Sequence, residues 1–294
     1  MPLVRRREPV VIEAPSVLGL RPSGVQDLPG VLLGGLPRAG RVEAPPYDPV
    51  PDVATGVLNP GGIARYSGLL ADAVGEVLDS GRLPVVLGGD CSILLGNLLA
   101  LRRRGRYGLL FLDGHTDFYQ PEAEPAGEAA SMELALATGR GPRVLTDLEG
   151  RGPLVRDEDV VAFGFRDADA SAADGMQPLP AGLYALDLDD VRAVGAADAA
   201  RGAVERLTGG AVDGYWVHLD VDVLDDAIMP AVDYRQPGGL SWAELEDVLG
   251  VALSDDRAVG FDVTIFNPRL DPDGSIGARL TECLPASLRR ADAR

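Results

Sequence analysis

The chain has 294 residues, 46% of them hydrophobic, enough apolar material for a sizeable core read as one unit over residues 1–294. Twenty-seven basic residues against 45 acidic ones leave a formal charge of −18. That balance excludes nucleic acid and anionic membrane as natural partners and favours a cationic small molecule. Every basic residue is Arg, which excludes Schiff-base lysine chemistry and a P-loop.

In chain order, the first expected strands are Val10–Glu13 and Val31–Leu36, followed by a helix over Gly61–Ser80. A strand at Pro84–Gly88 leads into a helix at Ser92–Arg104, and a strand at Gly108–Leu112 is followed by a helix at Ala129–Thr138. Strands at Val160–Phe165 and Gly182–Leu186 precede a helix at Asp190–Leu207. The last strands, Tyr215–Val221 and Val259–Thr264, alternate with helices at Ser241–Leu253 and Ile276–Arg290. Ser241 with Glu244 three residues on forms a capping box. Several strands are apolar on both faces, as in a parallel sheet covered on both sides. The alternation predicts a doubly wound α/β sheet, in which ligands bind beyond the carboxyl ends of the strands. No apolar run reaches the ~20 residues of a membrane span, and no signal-type stretch follows the basic start, so a cytoplasmic location is expected.

Three strand ends carry unusual residues: Gly88-Gly89-Asp90-Cys91-Ser92, Asp113-Gly114-His115-Thr116-Asp117, and His218-Leu219-Asp220-Val221-Asp222. Asp113, His115 and Asp117 alternate with period two, as do His218, Asp220 and Asp222, so in extended backbone each set shares one face. Buried carboxylates at this density cost several kcal/mol each unless a cation neutralises them. One or two divalent ions resolve this, and mixed Asp and His donors suit Mn, Fe, Co or Zn better than Ca. The alternative for each motif alone is a solvated turn.

Together these segments resemble the three metal motifs of the arginase, or ureohydrolase, family, in order, spacing and strand context. The likeness extends to Gly164-Phe165-Arg166-Asp167-Ala168-Asp169, Pro237-Gly238-Gly239-Leu240, Gly260-Phe261-Asp262 and Asn267-Pro268. The resemblance implies a three-layer α/β/α sandwich around an eight-stranded parallel sheet. It implies two divalent ions, Mn by preference, with Zn, Co or Fe as alternatives. Asp113 and Asp220 would bridge the ions, His115 and Asp222 would complete one site, and Asp117 and Cys91 the other. The reaction implied is hydrolysis of a linear C–N bond in a guanidino, N-hydroxyguanidino or amidine compound. Family members are commonly trimers or hexamers, so a homo-oligomer is expected. Two alternatives stand beside this reading: a metal-depleted structural or regulatory protein of the same fold, and a formimino or amide hydrolase.

The sequence departs from the family pattern at several positions. Cys91 stands where most members have His, which resembles a branch that includes the hydroxyarginine amidinohydrolase of cycloserine biosynthesis. A Cys91 thiol nucleophile paired with His115 is disfavoured, because surrounding carboxylates raise a thiol pKa. The family's proton-shuttle His is absent; Glu128, Glu133 and His218 are the candidate replacements. The bland readings are acids at a helix N-terminus for the first two and a hydrogen-bond partner behind a ligand for His218. Thr264-Ile265-Phe266 occupies the stretch where arginases carry a guanidinium-holding Glu. By resemblance, Asp169 would anchor a substrate amine beside Asp167. Tyr119 and Glu122 would belong to a specificity loop over Tyr119–Glu128 that also carries Glu124.

Overall fold

A computed structural model describes residues 7–32, 35–284 and 288 of the chain. Eight strands form its centre: β1 (Pro9–Glu13), β2 (Arg38–Arg41), β3 (Leu83–Leu87), β4 (Gly108–Leu112), β5 (Val160–Phe165), β6 (Tyr184–Asp187), β7 (Tyr215–Asp220) and β8 (Ala258–Thr264). They lie in the order β2-β1-β3-β8-β7-β4-β5-β6, and every neighbouring pair is parallel. The helices are α1 (Pro60–Asp79), α2 (Leu94–Arg102), α3 (Glu133–Ala137), α4 (Arg143–Thr146), α5 (Ala168–Ala173), α6 (Leu188–Val194), α7 (Ala196–Gly209), α8 (Trp242–Ala252) and α9 (Ser275–Cys283).

The pleat sorts each strand between two cores. On β4, Leu110 and Leu112 pack in the core shared with α7, α8 and α9, whereas Leu109 and Phe111 pack in the core shared with α1, α2 and α3. α1 buries Ile63, Tyr66, Leu70, Val74 and Val77, a stripe with helical spacing. α2 is buried from Leu94 to Leu101, because α1 and α3 pack against it and it shares a core with the sheet. The expected three-layer α/β/α architecture is what the chain forms. Among the described residues, no helix is long and apolar enough to cross a membrane.

Three expectations need correction. The strand expected at Val31–Leu36 is absent from its described part: a 3-10 turn over Val25–Gly30 runs through Val31, and the strand comes later, at Arg38–Arg41. Residues 33 and 34 of that range lie outside the described residues. Val25, Leu28, Leu32 and Leu36 are buried at intervals of three and four, so this apolar run fills the core without pairing. β2 is an exposed edge strand of polar sequence, held by main-chain bonds to β1. The helix expected at Asp190–Leu207 is two helices, because Gly195 (φ 90°, ψ 140°) breaks it. The helix expected at Ile276–Arg290 is described as α9 up to Cys283, and most of its remainder lies outside the described residues.

β3 and β4 are consecutive in the chain's sheet traffic but are separated in space by β8 and β7. The chain thus crosses over the sheet's centre, and the carboxyl ends of β3, β8, β7 and β4 open on one crevice.

Candidate functional site

The loop after β3 is shaped first by its backbone. A Cβ on Gly89 would lie 1.7 Å from the carbonyl oxygen of Ser16, so only glycine fits. Asp90 is fully buried and accepts from Ser16 Oγ at 3.0 Å and from the Ser92 amide at 2.9 Å. This fixes the 3-10 turn Cys91–Ile93 and aims the Cys91 sulfur at Asp220 Oδ2, 2.8 Å away, with Thr264 Oγ1 at 3.4 Å.

The loop after β4 meets the end of β7. Asp113 Oδ1 accepts the His115 amide at 2.7 Å, and Asp113 Oδ2 is buried without a hydrogen-bond partner. His115 Nδ1 lies 3.0 Å from Asp222 Oδ2, while Asp222 Oδ1 accepts the Gly114 amide at 3.1 Å. Asp220 Oδ1 accepts the Asp222 amide at 2.8 Å. Arg166, the residue after β5, clamps this arrangement by donating to the carbonyls of Asp222 and Gln236 at 2.9 and 2.7 Å. Asp117 takes positive φ (43°), and its carbonyl receives the amides of Leu134 and Ala135 at the start of α3. Ile265 has φ 69°, rare for a β-branched residue, and its amide donates to Gly89 O. Such backbone gathers at functional sites.

Donor atoms of Asp113, His115 and Asp222 all lie within 4.8 Å of one another; so do those of Asp113, Asp117 and Glu133, and those of Cys91, Glu133 and His218. Burial raises the Asp113 carboxyl to about 6, helped by the charge of Asp222, and raises Glu133 to about 8. Burial, followed by neighbouring acids, pushes Asp117, Asp220 and the Cys91 thiol well above their ordinary values. Groups driven this hard toward their neutral forms, with buried lone pairs unmet, are what a cationic ligand relieves. The donor set therefore fits divalent metal.

Above these residues lies a cavity of about 560 Å³. Cys91, His115, Asp117, Asp220 and Asp222 form its floor, and Tyr119, Glu124, Glu128, Ser171, Asp174, Tyr234 and Ile265 are on its walls. Glu128 accepts from the Arg21 amide at 3.0 Å and from Tyr234 Oη at 2.5 Å, so its carboxylate is already engaged. Glu133 and His218 are fully buried below the floor. Asp167 is also buried, accepting from Thr116 and Ser171. Asp169 and Glu122 are exposed and do not line the cavity. The reason at Asp169 is helical geometry: Ser171 lies about 200° further round and Asp174 about 140°, so the cavity-facing side of α5 is the other one. Asp174 and Tyr234 are not named from the sequence, and Asp262 is named only within Gly260-Phe261-Asp262, with no role. Asp262 carried a signal, an acid inside the buried strand β8; the other two, on loops, did not.

The family model described as "Arginase family" matches residues 41–288. The chain belongs to the arginase family. This makes it a ureohydrolase-type enzyme, a hydrolase of C–N bonds in linear amidines. It is 29% identical over 276 residues to the arginase of Staphylococcus aureus (strain COL), covering 89% of this chain and 90% of that one. It is 30% identical over 220 residues to the arginase of Brevibacillus brevis, covering 74% and 72%. The solved arginase from Bacillus caldovelox shares the fold with a TM-score of 0.84 at 24% identity, covering 98% and 100%.

Proposed function

We propose that this arginase-family protein is a two-metal hydrolase acting on a cationic guanidino, N-hydroxyguanidino or amidine small molecule. The observation that carries the reading is the Asp113–His115–Asp222 donor group, its two acids buried and its imidazole half-buried, with Asp113 Oδ2 left unpartnered beneath an open cavity. Asp113 and Asp220 would bridge two ions; His115 and Asp222 would complete one side, Asp117 and Cys91 the other. Mn is the expected metal, with Zn, Co or Fe as alternatives. When bound, such ions lower the pKa of water and supply a nucleophile at neutral pH.

The chain's own residues orient the substrate. Glu124 and Asp174 place negative charge on the cavity wall, which suits a cation. The amine-anchoring role expected of Asp169 falls better to Asp174, which reaches the cavity. Tyr119 and the Tyr234–Glu128 pair would set how deep the substrate enters. Ile265 belongs to the stretch Thr264-Ile265-Phe266 in which the resemblance would put a guanidinium-holding acid, and it lines the cavity with an apolar side chain, which favours a substrate other than arginine. This fits the likeness to the branch with Cys in the first motif. A cytoplasmic homo-oligomer, trimeric or hexameric, is the expected form.

The test is elemental analysis after reconstitution with Mn, Co or Zn, then a screen of guanidino, hydroxyguanidino, formimino and amide compounds for urea, hydroxyurea or ammonia release. About two ions per chain and urea or hydroxyurea release are expected. Ammonia release from a formimino or amide compound alone would assign the other bond class. A protein that takes up no metal would refute the catalytic reading and favour a structural or regulatory role.

A further inference from the structure

The cavity above the site is acidic on one side and apolar on the other. Sheet order sets this: β3 and β8 lie on one side of β7 and β4, and β5 lies on the other. Asp174, at the end of α5, follows β5 and lines the cavity. Cys91 follows β3, and Ile265 follows β8. Leu20 and Ala130 are brought to the Cys91 loop by Gly19. A Cβ on Gly19 would lie 2.5 Å from Asp90 Oδ1 and 2.7 Å from Ser92 Cβ, and its carbonyl accepts the Ala130 amide at 3.0 Å. Leu20, Ala130 and Ile265 all line the cavity and all belong to the core shared with α7, α8 and α9. They are 2%, 6% and 4% exposed, so the apolar core surfaces beside Cys91.

The polar groups around Ile265 are already engaged. Its own amide donates to Gly89 O at 2.9 Å, the Phe266 amide donates to Thr264 O at 2.9 Å, and Thr264 Oγ1 donates to Leu219 O at 3.3 Å. A substrate N–H turned to this side would lose water and meet three apolar side chains, which leaves a buried donor unmet. An alkyl group turned the same way would gain from burial.

We propose that Ile265, with Leu20 and Ala130, selects a guanidine whose outer nitrogen carries a small alkyl group, with an amine tail toward Asp174. The inference rests on the hydrolase reading above and deepens it by naming the substrate class. Hydrolysis would break the bond from the central carbon to the tail nitrogen. The oxygen of water stays on the carbon, giving an N-alkylurea, and its two protons leave on the tail nitrogen as an ammonium. An N-hydroxyl or an unsubstituted nitrogen fits this side worse, because each brings a donor.

The probes are ω-aminoalkyl guanidines of graded length, bearing hydrogen, hydroxyl, methyl or ethyl on the outer nitrogen. Each is tested on the Mn-reconstituted protein for turnover and, by titration calorimetry, for binding. The methyl compound should exceed the unsubstituted one at least about tenfold in kcat/KM. Ile265→Glu should reverse that order. Glutamate is unbranched at Cβ, so it is less crowded than isoleucine at the φ of 69° found here. Ile265→Ala opens the apolar side and should move the optimum from methyl to ethyl. A wild-type preference for hydrogen or hydroxyl, or an order unmoved in both variants, would overturn the proposal and leave the hydrolase reading standing. Binding that ranks methyl first, with no compound turned over, would uphold the selection and overturn the hydrolase reading for guanidines. No binding of any compound would overturn both.

Discussion

Asp220 and Asp222 differ by two positions but not in kind, and their surroundings separate them. Asp220 touches Cys91 on one side and the Asp222 amide on the other, whereas Asp222 is already paired with His115 and the Gly114 amide. If Asp220 serves both ions, Asp220→Asn should lose more metal than Asp222→Asn and lose more thermal stability in metal-containing buffer. Elemental analysis and melting of the two variants side by side check this; equal loss of one ion in each would show that the bridging role is misplaced. Much of this site was legible in the sequence as polar motifs at the ends of apolar strands; the extended, period-two backbone expected for them is not what forms, since Asp222 lies in a 3-10 turn and Asp117 takes positive φ. His218 was visible only in part. Its spacing put it with Asp220, but its neighbours Glu133 and Asp262 come from α3 and β8, 85 and 44 residues away in the chain. Pairings across such separations carry no local pattern.

At the scale of elements, the turn after β3 depends on a close approach that no side chain survives. Gly89→Ala would drive a methyl group into the Ser16 carbonyl, and backbone cannot give way as a flexible side chain can. A loss of about 3 kcal/mol or more is expected in urea unfolding of the metal-free protein. A loss below about 1 kcal/mol would mean the loop relaxes, and the fixed placement of Cys91 would then lack its support. The central strands were readable because both of their faces are apolar. β2 was not, because Arg38–Arg41 is polar and pairs through its backbone alone, while the apolar stretch before it drew the expectation. The break between α6 and α7 rests on one residue, Gly195, whose backbone conformation a periodicity of apolar positions does not register.

For the whole molecule, the acid cluster makes stability without metal depend on pH in an unusual direction. Folded Asp113 and Glu133 titrate near 6 and 8, above ordinary carboxyl values, because burial disfavours their charged forms. His115 and His218 are also raised; burial opposes their charge, but the facing carboxylates outweigh it. Between about pH 4 and pH 8 the folded chain therefore binds more protons than the unfolded one, so stability falls as pH rises. Asp222, lowered by His115 against the effect of burial, opposes this only below the ordinary Asp range. Metal-free protein should melt lower at pH 8 than at pH 5, and Zn or Mn should restore more at pH 8. A flat or rising melting temperature without metal would contradict the coupling. The chain of contacts from Glu133 through His218 and Asp262 ends on an indole, Trp216, buried on the face away from the α7–α9 core. The molecule thus carries its own optical gauge. Filling the metal site with zinc, which absorbs no visible light, should shift the emission of Trp216. That change should disappear in Trp216→Phe and survive in Trp242→Phe.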